Sequence, residues 1–330
     1  MTVASAPELR EAFGPRLRLD VPLARYTSSR IGGNADGLIE VRSSLELADA
    51  VRKLWALEKP YLILGAGSNV LVSDRGCRAV VLINRAKKVE FGAAGAVPSL
   101  VRSESGAAIG LVARQCVQRG WSGLEWAVAV PGTVGGAIVG NAGASGGDIA
   151  GSLYLAEILQ HPGWGKVSKG DGGPPDSSIA RFSPVELGFA YRSSRLKREC
   201  GWGVVLWAEF RMQPGERAEI RRRAEDSVAQ RKRTQPPGAS LGSMFKNPPG
   251  GFAGRLIEEA GLKGKRLGGV EISRIHANFF VNLGGAKAED VLRLMEETQA
   301  EVQRRSGIEL EPEIEFVGAW EPIPFRGLHG

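Results

Sequence analysis

Residues 131–147 contain seven glycines in seventeen positions, and no other feature of the 330-residue chain constrains its fold as much. A stretch this poor in side chains cannot contribute to a core. It can turn sharply, or let backbone come close to something else. The chain holds 45 glycines in all, roughly twice the ~7 % of an average protein, with no three-residue period. Collagen-like structure is therefore excluded, and the excess belongs to loops.

A shorter glycine loop comes earlier. Tyr61-Leu62-Ile63-Leu64 reads as a buried strand, Gly65-Ala66-Gly67-Ser68-Asn69 as a turn, and Val70-Leu71-Val72 as a second strand. A Rossmann fingerprint must open a helix whose N-terminus faces a pyrophosphate. Here strand follows, and no third glycine falls where it is needed, so that reading fails. Two remain open: a nest of consecutive backbone N–H groups that holds an anion, and a plain hairpin in which Asn69 takes a left-handed conformation. The second loop offers Gly132, Gly135, Gly136, Gly140 and Gly143 with the Asn141 amide, more glycine than a turn requires. Backbone bared over such a length suits a flat ligand. Two glycine loops suit the two ends of a dinucleotide, and the missing Rossmann motif points to a flavin.

Several classes fall away. Hydrophobic residues make up 43 %, far above a disordered chain. No apolar run approaches the ~20 residues of a membrane span, and the N-terminus lacks a secretory pattern. Cys77, Cys116 and Cys200 lie far apart, which fits a reducing cytoplasm and no disulfide or zinc framework. With three histidines a His-rich metal site is excluded, and no metal is expected. The net charge of +7 suits solubility as well as an anionic ligand.

Along the chain, the first twenty or so residues read as a loosely held arm. Ser43-Ser44-Leu45-Glu46 is a capping box, opening a helix with Leu47, Val51, Leu54 and Trp55 on one face and Pro60 after it. A strand is expected over 79–83, a helix over 109–118 closed by Gly120, and a surface loop over 163–178. A strand over 203–212 and a charged helix over 216–233 precede Pro236-Pro237-Gly238, where the chain breaks. Beyond lie helices over 253–259 and 289–305 and a strand over 277–281. Domains are set at 1–85, 86–235 and 236–330.

Nine runs, taken in order, carry a resemblance. Thr27-Ser28-Ser29-Arg30-Ile31-Gly32-Gly33 and Leu64-Gly65-Ala66-Gly67-Ser68-Asn69 come first, then Gly123-Leu124-Glu125 with Val130-Pro131-Gly132-Thr133-Val134-Gly135-Gly136 and Asn141-Ala142-Gly143. Tyr191-Arg192-Ser193-Ser194, Gly242-Ser243-Met244-Phe245-Lys246-Asn247-Pro248, His276-Ala277-Asn278-Phe279 and Leu310-Glu311-Pro312-Glu313-Ile314 complete the order. With these the chain resembles the MurB family, the UDP-N-acetylenolpyruvoylglucosamine reductases of peptidoglycan precursor synthesis. The resemblance implies an α+β protein: two-part FAD-binding α/β domains of the vanillyl-alcohol-oxidase/PCMH type, plus a C-terminal α+β substrate domain. It implies noncovalent FAD, NADPH as the hydride-donating cosubstrate, and reduction of the enolpyruvyl ether of a UDP-sugar to a lactyl ether. A cytoplasmic monomer with no nucleic-acid or membrane partner is expected.

On this resemblance Gly65, Ala66, Gly67, Ser68 and Asn69 line the FAD, as do Pro131, Gly132, Thr133, Gly135, Gly136, Asn141, Ala142 and Gly143. Arg192 matches the family's fixed cation for the substrate carboxylate, Ser243 its proton donor, and Glu313 the acid that assists at the enol. Tyr191, Lys246 and Asn247 match substrate contacts. Residue type alone allows blander roles. Arg192 stands among Arg195, Lys197 and Arg198 like a solvated charge, and Ser243 after glycine could cap a turn. Glu311, Glu313 and Glu315 alternate with apolar residues and proline like one face of a strand. The stretch 153–181 is longer and richer in Gly and Pro than the family pattern, and the compact third domain resembles the form without a substrate-capping insertion. A related small-alcohol oxidase would often tether FAD through histidine, yet no histidine precedes His161. A basic RNA-binding module would be colourless and strongly salt-dependent.

Overall fold

The computed structural model describes residues 7–92, 99–162, 178–322 and 324–325. The fold is α+β and packs as two compact units: one from 1–39, 60–82 and 230–330, the other from 40–59 and 83–229. The first and third of the segments divided at 85 and 235 thus share most of a unit. The surface loop expected over 163–178 lies outside the described residues except for Ser178.

In the first unit, the strands Arg18–Pro22, Asn34–Val41, Cys77–Asn84 and Tyr61–Leu64 form a sheet in that order, the second and third crossing into the other unit's residues. From residue 7 onward the expected arm is therefore structured. Pro7–Phe13 is a helix that buries Leu9 and Phe13, and Arg18–Pro22 pairs antiparallel with Asn34–Val41, Arg18 opposite Leu38. It looked loose because it is an edge strand with alternate residues exposed, so its sequence carries little apolar signal.

Val70–Val72 does not fold back on Tyr61–Leu64. It pairs in parallel with Glu315–Val317, Val70 opposite Glu315, which removes the hairpin reading of the first glycine loop. A second sheet runs Ala239–Ser243, Phe279–Asn282, Val270–Ile272, Arg266–Leu267. The helix Ala288–Ser306 buries Val291, Leu294, Met295 and Val302 in a core with Phe245, Phe280 and Leu310. Its first N–H groups, from Ala288 and Glu289, donate to the Asp74 carboxylate at 2.9 and 3.0 Å, where a negative charge suits the helix dipole. The strand expected through Glu311, Glu313 and Glu315 is confined to Glu315–Val317; the residues before it are fixed individually, as described below.

The second unit is an antiparallel sheet ordered Ile179–Phe182, Leu153–Gln160, Gly203–Pro214, Ser99–Glu104, Val89–Phe91. The helix Ile109–Arg119 ends at left-handed Gly120 and buries Ile109, Val112, Ala113 and Cys116. The helix Ser44–Ala56 starts as its sequence predicts, the Glu46 N–H donating to Ser43 Oγ at 3.1 Å. The Glu46 carboxylate reaches back to the Arg42 N–H rather than to that of Ser43. Trp207 Nε1 donates to Ser44 Oγ at 2.7 Å, tying this helix to the central strand.

Glu125 lies buried and takes hydrogen bonds from the Gly123 N–H (2.6 Å), the Ser122 hydroxyl (2.7 Å) and the Arg223 guanidinium (2.8 Å). Arg223, on the charged helix expected over 216–233, is thus an ion-pair partner of a buried carboxylate. Burial alone would raise the Glu125 carboxyl; the Gly123 N–H, Arg223 and Ser122 outweigh it and hold it below its ordinary value. A folded-state value below the unfolded one gives stability that is present above the unfolded pKa of ~4.3 and lost as pH falls through the folded value. At neutral pH, Glu125→Gln is expected to lower stability by about 1–3 kcal/mol, the range for a hydrogen bond to a charged group. Urea unfolding should show its deficit against the parent protein shrinking below pH ~4.

Candidate functional site

The first glycine turn, Gly65 to Asn69, is folded by its own surroundings before any ligand is considered. Gly67 is buried with φ +60°, and a Cβ there would stand 2.2 Å from the Tyr26 carbonyl oxygen and 2.7 Å from Thr27 Cα. Glycine is required because backbone passes against backbone; the Ser28 N–H donates to Gly67 O at 2.9 Å. The turn's other side is different in kind. Among the described residues, none accepts a hydrogen bond from the N–H groups of Ala66, Gly67 or Ser68. Consecutive unspent amides on a tight turn are what an anion nest needs, and they fit a dinucleotide pyrophosphate.

Asn69 links this turn to the acid. Its Nδ2 donates to the Glu313 carbonyl at 3.1 Å, and the Glu315 N–H donates to Asn69 O at 2.8 Å. Glu313 in turn gives its N–H to Met244 O at 2.8 Å, next in sequence to Ser243. The Lys246 N–H goes to Glu311 O at 2.8 Å, and Lys246 Nζ is ion-paired with the Glu311 carboxylate. Asn247 Oδ1 accepts the Ala253 N–H at 3.1 Å at the start of a helix. Gly65 to Asn69, Ser243, Lys246, Asn247 and Glu313 therefore all lie in the first unit, joined through short backbone bonds.

Pro131 to Gly143, Tyr191 and Arg192 lie in the second unit. The loop turns into a short helix, Val134–Val139, with Thr133 Oγ1 accepting the Gly136 N–H at 3.4 Å. It is strapped down by the Val134 N–H on Ala107 O and the Gly135 N–H on Ser105 O, at 2.9 and 2.8 Å. Gly135 is fully engaged, since a Cβ would meet Ser105 Cβ at 3.0 Å. Gly136 and Gly140, one helical turn apart, are less crowded than Gly135: the nearest atoms to an added Cβ are 3.5 and 3.6 Å away. Their shared strip of bare helix backbone is where a flat group can approach.

The Asn141 amide, which the sequence offers to a ligand, is committed to protein. Nδ2 donates to Ala190 O (3.0 Å) and Asp148 Oδ2 (3.4 Å), and Oδ1 accepts the Ala150 N–H (3.0 Å). Asn141 thus anchors the turn that carries the arginine. Ala190 and Ser193 exchange both backbone hydrogen bonds, at 3.0 and 3.1 Å, with Tyr191 and Arg192 at the tip. Arg192 holds φ +54° in the turn position that favours glycine, a strain of roughly 1–2 kcal/mol. Strain of this kind persists where the surroundings over-determine it, and it gathers at functional sites. Arg192 Nη1 donates to Gly143 O at 3.1 Å, while Tyr191 beside it is 55 % exposed.

In the sequence Asn278 is one member of the His276–Phe279 run, yet its buried side chain clamps the residues that follow Ser243. The usable signal was an amide set among Ala277, Phe279 and Phe280, where a polar group must have a partner.

Comparison with known proteins finds two family matches. Residues 35–156 match an FAD binding domain family and residues 233–317 match the C-terminal domain of UDP-N-acetylenolpyruvoylglucosamine reductase. Across 304 residues the chain is 44 % identical to the UDP-N-acetylenolpyruvoylglucosamine reductase of Rubrobacter xylanophilus, covering 92 % of this chain and 96 % of that protein. It is 43 % identical to reductase 2 of Symbiobacterium thermophilum, over 93 % of this chain and 94 % of that one. Among solved structures, UDP-N-acetylenolpyruvylglucosamine reductase (MurB) from Thermus caldophilus superposes with a TM-score of 0.74 at 36 % identity, covering 91 % of this chain and 99 % of that one.

Proposed function

The chain belongs to the UDP-N-acetylenolpyruvoylglucosamine reductase family, and on that premise we propose how its residues divide the family's reaction. It is an FAD-dependent oxidoreductase acting on a UDP-sugar, and its product is UDP-N-acetylmuramate, a peptidoglycan precursor. FAD is held noncovalently by the unspent amides of Ala66 to Ser68, with Gly65 and Asn69 flanking them. The glycine strip of Gly136 and Gly140 also serves it, with Pro131, Gly132, Thr133 and Gly135 forming the loop. Asn141, Ala142 and Gly143 act one step back, by holding the arginine turn. Bound and reduced by NADPH, FAD supplies the hydride.

The protein's own work is to manage charge on the substrate. Hydride addition to the terminal carbon of the enolpyruvyl group leaves negative charge on the carbon conjugated with the carboxylate. Arg192, strained into the tip of its turn, presents a planar cation to that carboxylate. Ser243 Oγ–H delivers the proton; it is a poor acid in water, but the carbanion is a strong base and placement decides the rate. Glu313 supports the enol from the neighbouring segment. The observation that best supports this pairing is the Glu313 N–H on Met244 O, which keeps the acid's backbone one residue from Ser243. Tyr191, Lys246 and Asn247 contact the UDP-sugar. In this reading residues 1–85 and 86–235 serve the cofactor and 236–330 the substrate, in a cytoplasmic monomer whose three cysteines are all free.

Anaerobic mixing tests the reading. Purified protein should be yellow, lose its 450 nm-region absorbance on adding NADPH, and regain it on adding the enolpyruvyl UDP-sugar with lactyl ether formed in equal amount. Colour that bleaches but does not return with this substrate would overturn the assignment.

A further inference from the structure

Asn278 is 2 % exposed, and its side chain is spent on a single residue. Oδ1 accepts the Phe245 N–H at 2.9 Å and Nδ2 donates to Phe245 O at 2.8 Å. Its own carbonyl accepts the Met244 N–H at 2.8 Å. A break in the sheet explains why such a clamp is needed. Ala239–Ser243 pairs with Phe279–Asn282 as Ala239 opposite Asn282 and Ser240 opposite Val281, then slips so that Ser243 faces Phe279. Gly242, at φ +81°, makes the bulge possible. Past it the regular ladder stops, and the Asn278 amide takes the place of a neighbouring strand by offering one donor and one acceptor. On the opposite edge, Met244 O takes the Glu313 N–H and the Lys246 N–H goes to Glu311 O. The segment after Ser243 is thus fixed from both sides.

We propose that Asn278 is a positioning residue for proton delivery, setting the Met244–Phe245 backbone so that Ser243 and Glu313 keep their working alignment. The inference rests on Ser243 being the proton donor. Loss of alignment by about 1 Å typically costs on the order of 10²-fold in rate, and the bulge leaves no ladder to restore it. None of these three bonds runs to the cofactor turn, whose link to the segment goes through the Glu313 carbonyl, so flavin reduction should be little affected by their loss.

Stopped-flow absorbance on flavin-loaded protein provides the test, using Asn278→Ala and Asn278→Asp with Ser243→Ala alongside. Asn278→Ala is expected to reduce with NADPH within about threefold of the parent rate and to reoxidise with the enolpyruvyl UDP-sugar about 10²-fold more slowly. Asn278→Asp separates alignment from folding. Ionised, the new carboxylate faces the Phe245 carbonyl without a donor. Protonated, it reproduces the amide's donor and acceptor, and burial favours that form well above the ordinary carboxyl range. Reoxidation relative to the parent should therefore recover as pH falls from about 8 to about 6. Lys246, Glu311 and Glu313 on the adjoining segments, and His276 with Lys263 and Glu258 near it, are present in both proteins, so the ratio at each pH isolates position 278. Equal slowing of both half-reactions, reoxidation at the parent rate, or failure of both variants to accumulate with flavin would each overturn the proposal. If Ser243→Ala reoxidises at the parent rate, the proton-donor reading fails and the inference falls with it. A slow Ser243→Ala beside unimpaired Asn278 variants removes the inference alone.

Discussion

Ser243→Ala should bind FAD and be bleached by NADPH at close to the parent rate, yet recolour with the enolpyruvyl UDP-sugar roughly 10²–10⁴-fold more slowly, the usual range for a lost general acid. The asymmetry is the point. Ser243 sits at the bulged end of its strand beside Met244, which is hydrogen-bonded to Glu313; the link from Glu313 to the cofactor turn runs through its backbone carbonyl to Asn69, which Ser243→Ala leaves in place. Glu313→Gln should show the same split. Arg192→Lys keeps a charge but loses the planar fork, so it too should be slow only in the second step. Single-wavelength stopped-flow follows each step alone. Equal slowing of both by Ser243→Ala would make it a structural residue near the flavin and end its role as donor.

Gly67→Val and Gly136→Val should fail in opposite ways. At Gly67 a side chain meets the Tyr26 carbonyl at 2.2 Å on a backbone at φ +60°, so strain and overpacking together should cost at least about 3 kcal/mol. That variant should unfold early or not accumulate, with or without FAD in the medium. At Gly136 the nearest atom to a new Cβ is Thr133 Oγ1 at 3.5 Å. Gly136→Val should therefore fold, with a denaturation midpoint near that of the parent protein, but purify with little flavin. Absorbance per polypeptide and denaturant melts distinguish the outcomes. A Gly136→Val protein with full flavin content would remove that strip from the cofactor site.

Local chemistry made much of the fold legible. Ser43, Gly120 and Gly307 mark helix ends that the structure reproduces, because caps act within a few residues. The glycine loops were visible for the same reason, but their cause was only half visible. Gly67 and Gly135 are glycine because the chain packs on itself there, while Gly136 and Gly140 leave room for a Cβ. Nothing local to Val70–Val72 says that its partner strand is Glu315–Val317, or that Asn69 will hold the Glu313 carbonyl across a separation of 244 positions. Asn141 looked like a free amide because a sequence shows a side chain's capacity and not its commitments. The catalytic assignments of Arg192, Ser243 and Glu313 needed the resemblance, since the residue types alone fit a solvated charge, a turn and a polar strand face.

The parallel pairing of Val70–Val72 with Glu315–Val317 bears on when the protein becomes competent during its synthesis. Ser73 extends the seam, its N–H donating to Val317 O at 3.0 Å and its hydroxyl to Ala319 O at 2.8 Å. Ribosomes add roughly 5–20 residues per second, so the stretch holding the first glycine turn emerges many seconds before the strand that completes it. Until then the turn lacks its far wall, and pairing so distant in sequence is slow to find. If that turn holds the flavin as proposed, uptake should come late, and a nascent chain stalled before residue 315 is expected to be colourless however much of it has already folded.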